Sequence, residues 1–322
     1  MSAIRRAVRL ALAMERWEVL LLAAGAILLG AAALVVAWQM REVRTDELAC
    51  YAAAPPAVEG STGMTCPQFL AASETLSTLQ RGMGLPFLVA PVMLGLFLAL
   101  PVVARELEHR TAPIAWTLSR SRARWLLMRA APVVGLVAVL SAVLAIAAEV
   151  MWRASPWAEG LPDLGFAEHG SHGPLMVARG VAAAGVGLAA GAIVARQLGG
   201  LLLAVLLSAA LLFGTAIVMD AWMETDAEWV ELGTPADSRI FDMAYREDAT
   251  GQVVSFNDFY SYDGGQIAVA DDGEPEGMTA ISLLVPAERA GEWIARESML
   301  LALISLGASG AALLSVRTRR VR

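Results

Sequence analysis

The chain has no lysine; all 24 residues of the Lys and Arg class are arginine. A GxxxxGK phosphate loop needs lysine to reach the β and γ phosphates, so any ATP that drives this protein is bound by another chain. Histidine is nearly as scarce, at three residues, and cysteine is limited to Cys50 and Cys66. The pair His169 and His172 lies in a glycine-rich stretch with no third ligand nearby, and no metal centre is expected there. Charge is sparse too. Only 17% of the 322 residues are charged against 57% hydrophobic, with a mean hydropathy of +0.59, which excludes an ordinary soluble domain. Ionisable groups are missing from the middle of the long apolar runs: Arg129 and Glu149 stand near the two ends of the third run, and Arg179 near the outer end of the fourth. Proton and ion relays are built from such groups. A secondary transporter or channel is therefore the weaker alternative, as is a membrane anchor or sensor with an external domain.

What the sequence does contain is long apolar runs, at 17–39, 82–103, 126–150, 175–194, 199–219 and 298–316. A bilayer core takes about 20 helical residues, so the chain reads as an all-α polytopic membrane protein with six spans. Six spans return both termini to one side. Short arginine-dense segments flank that side throughout: Arg5, Arg6, Arg9 and Arg16 before the first span, the stretch 104–125 between the second and third, Arg196, and Arg317 to Arg322 at the end. The positive-inside bias makes this side cytoplasmic. Tryptophans at the predicted span ends read as an aromatic belt, and residues 1–16 read as an amphipathic helix lying on the membrane lipid. The N-terminal run exceeds the usual signal-peptide h-region and reads as a retained anchor, and the absence of lysine together with the Ala and Arg excess suggests a GC-rich bacterial genome, hence a bacterial plasma membrane.

The net charge of −7 reflects acids gathered in the outward segments and solvating them, and nothing points to nucleic acid. The first outer loop, 40–81, carries both cysteines on the oxidising side, so a Cys50 to Cys66 disulfide is expected. The third, 220–297, is long enough for a small, partly β external subdomain, with strands expected at 252–256, 266–270 and 280–285 and a helix over 287–297 feeding the last span. In the fourth span Ala183, Gly187 and Gly191 recur four apart, a spacing that lets helix backbones approach closely, within one subunit or across a dimer face. Pro86, Pro91 and Pro101 punctuate the second span and predict a kink.

The segment 104–125 is the most telling. Its run Ala104-Arg105-Glu106-Leu107-Glu108, then Thr111, Ala115-Trp116-Thr117, Ser119, Ser121-Arg122 and Arg124-Trp125 closely resembles the connection between the second and third spans of ABC transporter permeases of the ABC-two exporter type. The six-span layout, the paired cysteines and the glycine-rich stretch 185–196 agree. In that family the connection forms a coupling helix docked on an ATPase. The resemblance implies a membrane subunit with no chemistry of its own and no bound cofactor, ATP and Mg residing on two partner ATPase subunits, a second permease completing a homodimer or heterodimer, and export of a drug, antibiotic, lipid or peptide. It assigns coupling to Arg105, Glu106, Glu108, Arg110, Thr111, Trp116 and Arg122. The family commonly has Gly where Arg110 stands, and Pro113 is a further departure. Glu106 and Glu108 beside Arg105 and Arg110 are expected on one short charged helix, contacting a groove of the soluble partner.

Overall fold

A computed structural model describes residues 16–53, 66–118, 121–155, 166, 169–231, 238–255 and 277–319. The expected interfacial helix over 1–16 and the strand over 266–270 lie outside the described residues, except for Arg16. Seven α-helices are described: α1 (Arg16–Ala53), α2 (Pro67–Glu108), the short α3 (Ala112–Leu118), α4 (Arg122–Trp152), α5 (Pro174–Val194), α6 (Gln197–Thr225) and α7 (Ala290–Thr318). All but α3 are long and apolar enough to cross a membrane, giving six spans.

Two helices run well past the apolar limits read from sequence. Most of the expected outer loop 40–81 is helix, because hydropathy marks where the lipid ends and not where helical hydrogen bonding ends. Residues 40–53 hold no Pro or Gly to stop the chain. At 1.5 Å per residue, the 38-residue α1 is about 57 Å long, against a hydrocarbon core of about 30 Å. Cys50, in the last turns of α1, is disulfide-bonded to Cys66, which immediately precedes α2. The helix α2 runs unbroken through Pro86, Pro91 and Pro101.

The chain divides into two compact units, one of 1–161, 170–213 and 296–322, the other of 162–169 and 214–295. In the first, α2 and α5 form the core. Leu96, Leu98, Leu100, Val103 and Ala104 on α2 and Ala182, Ala183, Ala184, Ala190 and Ala192 on α5 are buried. Glycine permits this approach: a Cβ on Gly95 would stand 2.7 Å from Ala184 N, one on Gly187 3.3 Å from Leu100 N, and one on Gly191 2.9 Å from Leu100 O. The small-residue stripe therefore packs within the subunit, against the second span. A second apolar cluster joins Leu175, Ala182 and Val186 of α5 to Leu211 of α6 and Leu301 of α7.

The second unit holds a four-stranded antiparallel sheet in the order β1-β4-β2-β3, with β1 (Glu228–Glu231), β2 (Arg239–Glu247), β3 (Val253–Ser255) and β4 (Met278–Val285). Strands β3 and β4 were readable from sequence; β1 and β2 were not. In β2 an irregularity between Ile240 and Asp242 breaks the alternation that marks a strand. Where a single helix was expected over 287–297, a 3-10 turn at Ala287–Arg289 leads into α7, which is continuous with the last span.

Among the described tryptophans, Trp17, Trp38, Trp222 and Trp229 are exposed, Trp116 is half-buried, and Trp125, Trp152 and Trp293 are buried and serve as core anchors.

Candidate functional site at the short-helix end

The stretch 104–125 is not one charged helix. Ala104 to Glu108 continue the hydrogen bonding of α2, so Arg105, Glu106 and Glu108 belong to the end of the second span and not to α3. The chain then reverses through a Schellman turn: Thr111 N donates to Glu106 O at 3.0 Å and Arg110 N to Leu107 O at 3.4 Å. Arg110 takes φ +57° to close it. This left-handed conformation favours glycine and costs an L-residue about 1 kcal/mol or more, which accounts for the glycine usual there in the family this stretch resembles. Thr111 then begins α3, accepting from Ala115 N at 3.1 Å, and Pro113 falls in the first turn, where its missing N–H is harmless. Ser121 caps α4, its hydroxyl accepting from Arg124 N at 3.2 Å.

The charged residues at the end of α2 each reach a different span. Arg105 pairs with Glu18 in the first turn of α1. Glu106, only 5% exposed, pairs with Arg129 of α4, so its carboxylate faces inward. Glu108 is exposed, and its carboxylate accepts from Gln197 N at 2.8 Å, capping the first turn of α6 where the helix dipole favours negative charge.

A second set of contacts holds α3. The Arg122 guanidinium stacks on the Trp116 ring, its Cζ 4.4 Å from the centroid. Trp116 meets Trp125 edge to face at 6.0 Å, and Arg129 lies over Trp125 at 5.7 Å, so the row ends at the Glu106 ion pair. Arg122 also donates through Nη1 to the carbonyls of Val316 (3.3 Å), Arg317 (3.2 Å) and Arg319 (2.6 Å), at the end of α7. What α3 leaves to solvent is a small surface made of Arg110, Thr111, Ile114 (66% exposed) and Thr117, with His109 and Glu108 beside it. The seven residues expected to couple all lie at this end of the bundle, and sequence reasoning missed their intramolecular partners Glu18, Trp125, Arg129 and Gln197. None of these left a signal in the sequence: Glu18 shares its arginine-rich flank with Glu15, and the others carry no mark of a partner.

Above this layer a pocket of about 350 Å³ opens between α1, α2 and α6, lined by Leu21, Leu22, Leu96, Phe97, Leu100 and Leu201, with Glu18 and Gln197 at one end. At the opposite end of the bundle a second set of polar groups pairs within the protein. Arg179, 5% exposed, pairs at 2.7 Å with Glu297, 1% exposed, and donates to Gly170 O at 3.0 Å. Sequence reasoning missed this buried pair because Glu297 sits one residue before the last apolar run. His172 Nδ1 lies 3.0 Å from Glu149 Oε2, whose other oxygen takes Arg153 Nε at 2.8 Å.

Residues 22–223 match the family described as ABC-2 membrane transporter related. That span is well over half of the chain, and it takes in all or most of five of the six candidate membrane helices and the whole 104–125 connection. No curated protein and no solved structure matches the chain. The chain belongs to the ABC-2 membrane transporter related family.

Proposed function

We propose that this transporter-family chain is the permease subunit of an ATP-binding cassette exporter, with ATP and Mg bound by two copies of a separate ATPase and a second permease completing the pathway. The observation that carries this reading is α3, a separate short helix suspended between two spans. Its outer surface is small and exposed, while its inner surface is keyed by Trp116 into the bundle. A partner pressing on Arg110, Thr111 and Ile114 displaces the ends of α2 and α4 together. The buried Glu106 carries that displacement inside the permease, and the partner's groove receives the exposed residues of the turn and of α3. The short-helix end is cytoplasmic on this reading, because Arg110, Arg122, Arg124, Arg196, Arg317 and Arg319 gather there. On the same reading both termini are in the cytoplasm, the membrane is a bacterial plasma membrane, and the segment 220–297 is external.

The apolar walls of the pocket between α1, α2 and α6 favour a hydrophobic or amphipathic cargo. The test uses inverted membrane vesicles from the native host, which carry the partner at natural levels. ATP-dependent accumulation of an amphipathic fluorescent cation is expected from the wild type and at least about tenfold less from an Arg110→Glu, Ile114→Asp variant, which should also lose the ATPase on purification. Accumulation that is independent of ATP, or equal in the variant, overturns the reading.

A further inference from the structure

The end of α2 and the residue Arg122 divide the spans between them. Arg105, Glu106 and Glu108 tie the second span to α1, α4 and α6. None of these reaches the sixth span. Arg122 does, and it does so while stacked on the α3 tryptophan. The end of α7 is in turn fastened to α5: Ser315 Oγ donates to Ala192 O at 3.0 Å, and Arg319 Nη1 donates to the same carbonyl at 3.0 Å. That carbonyl stands three residues before the left-handed Ala195 that ends α5.

We propose that Arg122 is the positioning residue that transmits movement of α3 to the sixth span and, through Ser315 and Arg319, to the fourth. The proposal rests on the exporter reading and deepens it, since it reassigns Arg122 from a contact with the ATPase to an internal link. Chemistry favours arginine for the task. A planar guanidinium presents one face to an indole while its in-plane N–H groups point at carbonyls, and the terminal carbonyls of a helix carry the negative end of its dipole. Lysine has the charge without the plane or the fork. Leucine carries neither.

The test is cysteine labelling in inverted vesicles of the native host, with Cys50 and Cys66 left in their disulfide. A single cysteine is placed at exposed Thr117 on α3 or at exposed Thr318 at the end of α7, and maleimide labelling is timed with and without Mg-ATP and orthovanadate. In the wild-type background nucleotide is expected to change the rate at both positions by about threefold or more. In Arg122→Leu the change at position 117 persists and that at position 318 disappears; Arg122→Lys, which keeps the charge and guards against misfolding, retains less than half of it. An unchanged response at position 318 in both variants overturns the proposal. A wild type that responds at neither position overturns the exporter reading and this inference with it.

Discussion

Glu106 shows how burial decides what a charged residue does. The sequence offers it as one of two acids on a charged cytoplasmic stretch, yet its neighbour Glu108 is exposed and Glu106 is not. Their difference follows from helix geometry. Residues two apart lie about 200° apart around α2, so only one of the two can face the bundle. With its side chain 7% exposed and its partner Arg129 33% exposed, the pair is close to the buried limit, where removing one partner costs about 3 kcal/mol because the other charge is left unpaired. Glu106→Ala is expected to destabilise the purified protein by about that amount, read from unfolding by titrated denaturing detergent. The double change Glu106→Met, Arg129→Met should recover most of the loss, since replacing a buried pair by apolar groups is often neutral. If the single variant unfolds with the wild type, the inward assignment of Glu106 is wrong.

Among elements, α2 and α5 fix the rest, and their contact is a matter of missing side chains. At Gly95 a Cβ would lie 2.7 Å from Ala184 N and 2.9 Å from Ala183 Cβ, inside any real contact distance, whereas at Gly82 on the same helix nothing lies within 4 Å. Gly95→Val should therefore force α2 and α5 apart and lose the monodisperse folded peak in size-exclusion chromatography, while Gly82→Val passes unaffected. Equal behaviour of the two would mean that α2 and α5 do not pack as described. The six spans were legible in the sequence because apolar length is a one-dimensional property. The glycine spacing in the fourth span was legible too, but not its partner, because spacing specifies a face and not what meets it. Helix ends were read poorly wherever polar helix-forming residues followed the apolar run, as at 40–53. The Schellman turn at Arg110 was hidden for the opposite reason: it places an arginine where the local backbone asks for glycine. The connections of Arg105, Glu106 and Glu108, and that of Arg122 to the end of α7, could not be read, since these partners lie between 23 and 197 residues away in the chain.

At the scale of the whole molecule, two independent chemistries support the orientation proposed above. Arginine gathers at the α3 end, and the Cys50 to Cys66 disulfide sits at the connection between α1 and α2, one crossing away. Positive charge is retained in the cytoplasm, and structural disulfides persist where the environment is oxidising. Both arguments support the proposed orientation, α3 inside and the disulfide outside, although neither depends on the other. Three candidate crossings separate α3 from the turn between β2 and β3 in the chain, so the proposed topology expects exposed Thr117 and exposed Ala249 on opposite sides of the membrane. With the native cysteines held in their disulfide, an introduced thiol is the reactive one. Ala249→Cys is expected to react with a membrane-impermeant maleimide in intact cells, and Thr117→Cys only after the membrane is opened or inverted. The same preparation supplies an internal check, because an impermeant phosphine added to intact cells should reduce the disulfide if it faces outward. Reaction of both introduced thiols from one side would remove a span from the count. Reaction of Thr117→Cys alone from outside would turn the molecule over, and α3 could then meet no cytoplasmic ATPase.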